Sequence, residues 1–389
     1  MHVLFFSASP EHRKTLGRTE GLTSIGATSS VAGYTRPSES DASQAVRFHS
    51  LGVVKHGARI SRMLAFPLYV LRAIHFARAQ EPCDCIWANT LDTLILALIA
   101  RPFAKGRRRI VYDVADLTDA QLAGGPRGAL IRILDRIACR RIDVIVLTSP
   151  WFYWRYYQKL LPPTAPAFLL ENKLTPPAPS PPERAHGKPW RIVWHGRLRS
   201  PTSFRIARAI AAALPGEIEI RAWGHADGDM LADLQAASRD LGNFSYHGAY
   251  SDGAIAPVFE GAHFLFAFDL DDGENSMLLL PNRLYHGVAR SIPMLAPNET
   301  AVGRVIAGLH LGAAFEAPYV EAMVSWLRSL DEAAYAAMCA PFTDVRRASA
   351  VYSDDFKHVA EAIVGGSGGR RIPVQEQLDV VLAPQAEKA

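Results

Sequence analysis

Short apolar runs alternate with stretches of helical periodicity along most of the chain. Residues 3–6 predict a first strand, and residues 10–25, with Leu16, Leu22 and Ile25 at inward spacing, predict a helix. Strand character returns over 28–34. A helix with a kink at Pro67 is predicted over 61–79, a strand over 85–88 and a helix over 91–100. A strand over 109–113 (RIVYD), a helix over 130–141 and a strand over 144–148 (VIVLT) follow. Short β-branched runs separated by helices imply a parallel sheet covered on both faces.

The pattern breaks at TPPAPSPPER, residues 175–184, where five prolines fall within 176–182. Such a segment is a semi-rigid extended spacer that builds neither a helix nor a central strand. Strands are then predicted at 191–194, 217–222, 264–268 and 293–295. Helices are predicted at 203–214, 230–241, 284–289, 319–330 and 355–363. The expected organisation is an N-terminal domain over 1–172, a linker over 173–190 and a second domain over 191–345. A helix within 346–365 is expected to pack back on the first domain, and the glycine-rich end, 366–389, reads as a disordered tail. Two doubly wound domains of this kind place a cleft between them, with ligands at the carboxyl ends of the strands.

Composition narrows the class. The 389 residues suit two domains of ordinary size. No apolar run reaches the roughly 18–20 residues needed to span a bilayer. The start, MHVLFFSASPEHRK, lacks the basic opening of a signal peptide and reads as a buried strand. Cys83, Cys85, Cys139 and Cys339 have neither zinc nor redox spacing and read as free thiols of a reducing cytoplasm. The net charge of +4 is unevenly spread. No acidic residue falls between Asp41 and Glu81, where Arg47, Lys55, Arg59, Arg62, Arg72 and Arg78 lie, and RPFAKGRRR (101–109) adds five more basic residues. This positive field suggests an anionic partner: a membrane surface, a lipid phosphate or nucleic acid. Apolar residues mixed with arginines over 61–79, and six aromatics within WFYWRYY (151–157), predict contact with an anionic membrane interface.

Four stretches carry candidate chemistry. In IVWHGRLRSPTSF (192–204) an apolar strand ends at Trp194, and Gly196 after it lets a ligand approach the backbone. Arg197 can fork onto phosphate oxygens, and the following helix offers free amides. A plain turn with a surface arginine is the structural alternative. In PNRLYHGVARSIPMLAP (281–297) a helix is expected from about Asn282, with Arg283 in its first turn and His286 on the same face. A capped amphipathic helix is the alternative there. In RIVYDVADLTDAQ (109–121), Asp116 stands past the strand end, as a base or as a helix N-cap. In FAFDLDDGENSM (266–277), Asn275 and Ser276 could bond sugar hydroxyls, within a solvated acidic loop.

PNRLYHGVARSIPMLA resembles, without a gap, the PNKLFEYMAAGKPVIA signature of the two-domain GT-B glycosyltransferases. Pro281, Asn282, Leu284, Ala289, Pro293 and Ala296 match, and Arg283 takes the lysine place. IVYDVADL, RIDVIVLTSP, WRIVWHGRL and FSYHGAYSD resemble further segments in the family's order. The resemblance implies an α/β GT-B fold of two Rossmann-like domains facing a cleft. The second would bind a nucleoside-diphosphate-sugar through Gly196, Arg197, Ser276, Asn282, Arg283 and His286, with no cofactor or essential metal. The first would receive a saccharide or polyprenyl-diphosphate-linked acceptor, with no nucleic acid involved. The chain departs from the retaining family-4 pattern: the two glutamates of E-x7-E are Leu278 and His286 here, and Ser291 replaces a glycine. RIVYDVADL is also similar to the VYRASDGL segment of xanthan-type glucuronosyltransferases, where Asp116 matches the proposed base. The implied reaction is an inverting transfer in polysaccharide or glycan assembly, in a cytoplasmic enzyme peripheral to the inner face of the cytoplasmic membrane. A non-catalytic binding subunit and a nucleotide-sugar 2-epimerase-like enzyme stay open as alternatives.

Overall fold

The computed structural model describes residues 1–10, 13–35, 48–54, 59–161, 166–183, 186–271, 273–342, 350–352 and 355–365. Two compact units account for them. One holds Met1–Glu171 together with the C-terminal helix Asp355–Gly365, the other Asn172–Tyr352. The expected tail, 366–389, lies outside the described residues.

In the first unit β1 (His2–Ser7), α1 (Arg13–Ser24), β2 (Thr28–Thr35), β3 (His49–Val53) and α2 (Arg59–Ala79) come first. They are followed by β4 (Cys83–Ala88), α3 (Leu91–Ala100), β5 (Gly106–Val114), α4 (Asp119–Leu122), α5 (Gly125–Cys139), β6 (Val144–Leu147), α6 (Pro150–Arg155) and β7 (Ala167–Leu169). The sheet is parallel, in the order β3-β2-β1-β4-β5-β6-β7. The chain winds outward one way from β1 and then the other way from β4. Right-handed crossovers therefore put α2, α3 and α5 on one face and α1 on the other. Neighbouring contacts of α2 with α3 and of α3 with α5 agree with this layer. The C-terminal helix covers part of the opposite face. Its Phe356 ring lies where a Cβ on Gly21 of α1 would come within 1.9 Å.

The second unit repeats the scheme. It contains β8 (Trp190–Arg197), α7 (Pro201–Ala213), β9 (Ile218–His225), α8 (Gly228–Asp240), β10 (Phe244–Tyr246), β11 (Phe264–Phe266), α9 (Gly273–Leu278) and α10 (Asn282–Arg290). Then come β12 (Met294–Pro297), α11 (Ala301–Gly308), β13 (Gly312–Phe315), α12 (Tyr319–Ser329) and α13 (Glu332–Cys339). The order is β10-β9-β8-β11-β12-β13, all parallel, so the winding reverses between β8 and β11. The proline-rich segment enters this unit, where Leu174 bridges to Val351.

One sequence expectation is corrected. WFYWRYY is not a surface aromatic patch: Trp151, Phe152, Tyr156 and Tyr157 are buried. They turn inward because α6 follows β6 at once and the turn after it, which carries Tyr156 and Tyr157, folds back on the sheet. Tyr157 meets Tyr112 of β5 edge-on at 5.9 Å and lies within 3.2 Å of its hydroxyl. Among the described residues, no helix is long and apolar enough to cross a membrane.

Candidate active site

In doubly wound sheets the ligand crevice lies at the carboxyl ends of the strands where the winding reverses. In the second unit these are β8 and β11. β8 runs apolar to Trp194 and ends at His195, Gly196 and Arg197. Gly196 has φ +107°, a conformation that a side chain resists. Across the ladder sits Gly224, where a Cβ would stand 1.7 Å from the Gly196 carbonyl oxygen. Two facing glycines thus let β8 and β9 touch at their tips.

α10 begins at Asn282 behind Pro281, as the sequence pattern predicts. Arg283, in its first turn, is buried. Its Nε donates to the His195 carbonyl at 2.7 Å, Nη1 to the Phe268 carbonyl at 3.1 Å and Nη2 to the Arg197 carbonyl at 3.4 Å. One guanidinium therefore ties the tip of β8 to the turn after β11, across the point of reversal. Burial lowers its pKa, opposed by the charge of Asp269. Five N–H donors and three carbonyl acceptors leave the fork capacity for a further acceptor. The Arg197 side chain is exposed.

His286 lies one turn further along α10, buried. Its ring stacks on Phe259 at 5.6 Å and meets His195 edge-on at 5.2 Å. Arg290 Nη1 donates to His286 Nδ1 at 2.8 Å, which in a neutral ring puts the proton on Nε2. The same guanidinium lies 4.2 Å from the Phe259 centroid. His195 Nδ1 is 3.1 Å from the Tyr250 hydroxyl. Gly196, Arg197, Arg283 and His286 thus gather at one strand end. Asn282 is exposed at the start of α10, while Ser276 is buried within α9.

The acidic stretch before α9 has a structural duty that the sequence did not reveal. Asp271 accepts from Ser200 Oγ (2.6 Å), Thr202 N (2.7 Å) and Thr202 Oγ1 (2.7 Å), clasping the start of α7. Burial pushes its carboxyl up, but these bonds outweigh that and hold it below the usual range.

In the first unit the reversal lies between β1 and β4. There Ser7 Oγ is 2.8 Å from Thr15 Oγ1, and Asn89 Nδ2 donates to Ser7 Oγ at 3.0 Å. Asp116 is exposed, two residues past the end of the next strand, β5. It is not a helix cap: Thr118 caps α4, its Oγ1 accepting from Gln121 N at 3.4 Å. Asp113 is fully buried, its Oδ2 accepting from Arg18 Nε (2.8 Å) and Trp87 Nε1 (3.0 Å). The half-buried Lys14 faces both carboxylates. Burial pulls its pKa down to about 8, while the charges of Asp116 and Asp113 resist.

Sequence reasoning missed Lys14, Asn89, His195, Tyr250, Phe259 and Arg290. His195 was visible beside Gly196 and Tyr250 within FSYHGAYSD. No local pattern marks the other four, because their roles arise from packing between distant segments.

Residues 17–172 match the glycosyl transferase 4-like domain. The succinoglycan biosynthesis protein ExoL of Rhizobium meliloti (strain 1021) is 29% identical over 353 residues, covering 86% of either chain. Among solved structures, sucrose-phosphate synthase from Thermosynechococcus elongatus superposes with a TM-score of 0.68 at 13% identity, over 93% of this chain and 98% of that one. Anabaena Alr3699/HepE, in complex with UDP and glucose, gives 0.66 at 15% identity, over 94% of this chain and all of that one. The chain therefore has the GT-B fold and carries a glycosyl transferase 4-like domain over residues 17–172.

Proposed function

We propose that the enzyme moves a sugar from a nucleoside-diphosphate-sugar to a lipid-linked saccharide in exopolysaccharide assembly, with inversion at the anomeric carbon. The relative named for succinoglycan biosynthesis supports the product class. The HepE complexes with UDP, glucose and UDP-glucose support a uridine donor. The single observation that carries the donor reading is Arg283 pinning the tips of β8 and β11, with Arg197 exposed beside it. In this reading Arg197 and the remaining N–H groups of Arg283 neutralise the diphosphate, Gly196 lets it approach the backbone, and Asn282, His286 and Ser276 complete the pocket.

Asp116 acts as the base. It takes the proton of the acceptor hydroxyl as that oxygen attacks the anomeric carbon, and the nucleoside diphosphate leaves from the opposite face. Exposure and freedom from cap duty support this role. The missing carboxylates at Leu278 and His286 argue against the retaining pattern. The acceptor lipid would hold the enzyme at the anionic surface of the cytoplasmic membrane. Thermal-shift titration with UDP-, GDP- and dTDP-sugars, on wild type and Arg197→Ala, tests the donor reading. Stabilisation by one nucleotide series that weakens in the variant is expected, and no stabilisation by any of them refutes it.

A further inference from the structure

α5 carries a stripe that the fold leaves uncovered. Leu130, Ile133, Leu134 and Ile137 recur at the three- and four-residue spacing of one helix face, and they are 57%, 53%, 39% and 47% exposed. Four large aliphatic side chains in one exposed row exceed the scattered surface leucines of an ordinary domain. Their polar company is of one sign. Arg127 and Arg136 are exposed on α5, and Arg140 follows at its end. The helix's one acid, Asp135, is fully buried on the opposite side. Aliphatic rows edged by arginines, with no exposed acid among them, match the hydrocarbon boundary and phosphate layer of an anionic bilayer. α2, in the same helical layer, exposes Leu64, Leu68 and Leu71 at the same spacing.

The buried side of α5 is fastened to the turn that follows Asp116. Gln121 of α4 donates to Asp135 Oδ2 at 2.8 Å, and Arg132 Nη1 donates to the carbonyls of Ala123 (2.6 Å) and Gln121 (3.3 Å). We infer that α5 is the membrane-contacting helix of the enzyme. It lies in the interface of an anionic bilayer by its Leu130–Ile137 row and carries the Asp116 turn on its other side. This deepens the membrane reading given above by naming the surface, and it is separable from the donor reading.

Flotation of the full chain tests it, with vesicles of phosphatidylcholine alone and of phosphatidylcholine mixed with phosphatidylglycerol. Wild type should float with the mixed vesicles and about tenfold less with the neutral ones. The triple variant Leu130→Ser/Ile133→Ser/Ile137→Ser and the charge variant Arg127→Glu/Arg136→Glu should each lose about tenfold of that binding. Both change only exposed side chains, so the melting temperature and the donor-induced thermal shift should stay as in wild type. A triple variant that floats like wild type overturns the inference. So does a wild type that stays unbound, or light scattering that shows a wild-type dimer split by the triple variant, since a second copy then covers the stripe. Loss of the donor shift in every form would instead refute the donor reading alone.

Discussion

Arg283 and His195 are joined by a 2.7 Å hydrogen bond from the guanidinium Nε to a backbone carbonyl, across 88 residues of sequence. The arginine fixes the tip of β8 against the turn after β11. Arg283→Ala strands three carbonyls and leaves a void, and the expected loss is about 3 kcal/mol in urea unfolding, together with donor binding. Arg283→Lys should recover little, because an ammonium cannot reach three acceptors in a fork.

Arg197 has the opposite profile. Its side chain is exposed, so Arg197→Ala should leave unfolding within about 0.5 kcal/mol of wild type. Donor affinity should fall about tenfold or more, from loss of a charge-assisted contact. Calorimetric titration with the nucleotide sugar separates it from Arg283.

Asp116 and Thr118 make a similar contrast in the first unit. Asp116→Asn should lower kcat by about 10²–10⁴-fold with stability unchanged. Thr118→Ala should cost about 1 kcal/mol of stability through loss of the α4 cap. If Asp116→Asn transfers sugar at the wild-type rate, Asp116 is not the base.

The glycine at the tip of β8 is predicted to be torsionally required. A Cβ on Gly196 would meet Arg283 only at 3.8 Å, an ordinary contact, but its φ of +107° strains any other residue. Gly196→Ala should therefore cost about 1–3 kcal/mol, measured by unfolding.

Lys14 gives a pH signature. Its pKa is lowered in the folded protein from the ordinary 10.5 to about 8. Between those values the unfolded chain holds a proton that the folded one has released, so stability contributed at this site rises with pH across that window. Lys14→Met has no such titration. Wild type should gain stability relative to Lys14→Met from about pH 8 to 10.5, by paired denaturation curves.

Much of the frame was legible because long apolar runs and their caps are local. Residues 91–100 are a helix as predicted, and 144–148 lie one residue beyond the strand Val144–Leu147. β3 was missed because HSLGV offers only two large aliphatics around a glycine, and its stability comes from pairing with β2 and from Tyr69 lying against Gly52. The aromatic run at 151–157 was misread because side-chain type does not say which way a short helix turns. The stripe on α5 was not singled out, because apolar spacing along a helix does not say whether a sheet or solvent faces it. Arg283 was legible as a cation in a first turn, but its three carbonyl partners come from segments that only folding brings near.

The C-terminal helix has a consequence for biosynthesis. Phe356 seats against Gly21 of the first helix, and Val359 and Ile363 are buried beside it. During translation the first sheet emerges early, yet part of its surface waits bare until residues 355–365 have left the ribosome. A fragment ending at Glu171 would carry that empty socket permanently, and the first unit on its own should be less stable than within the full chain.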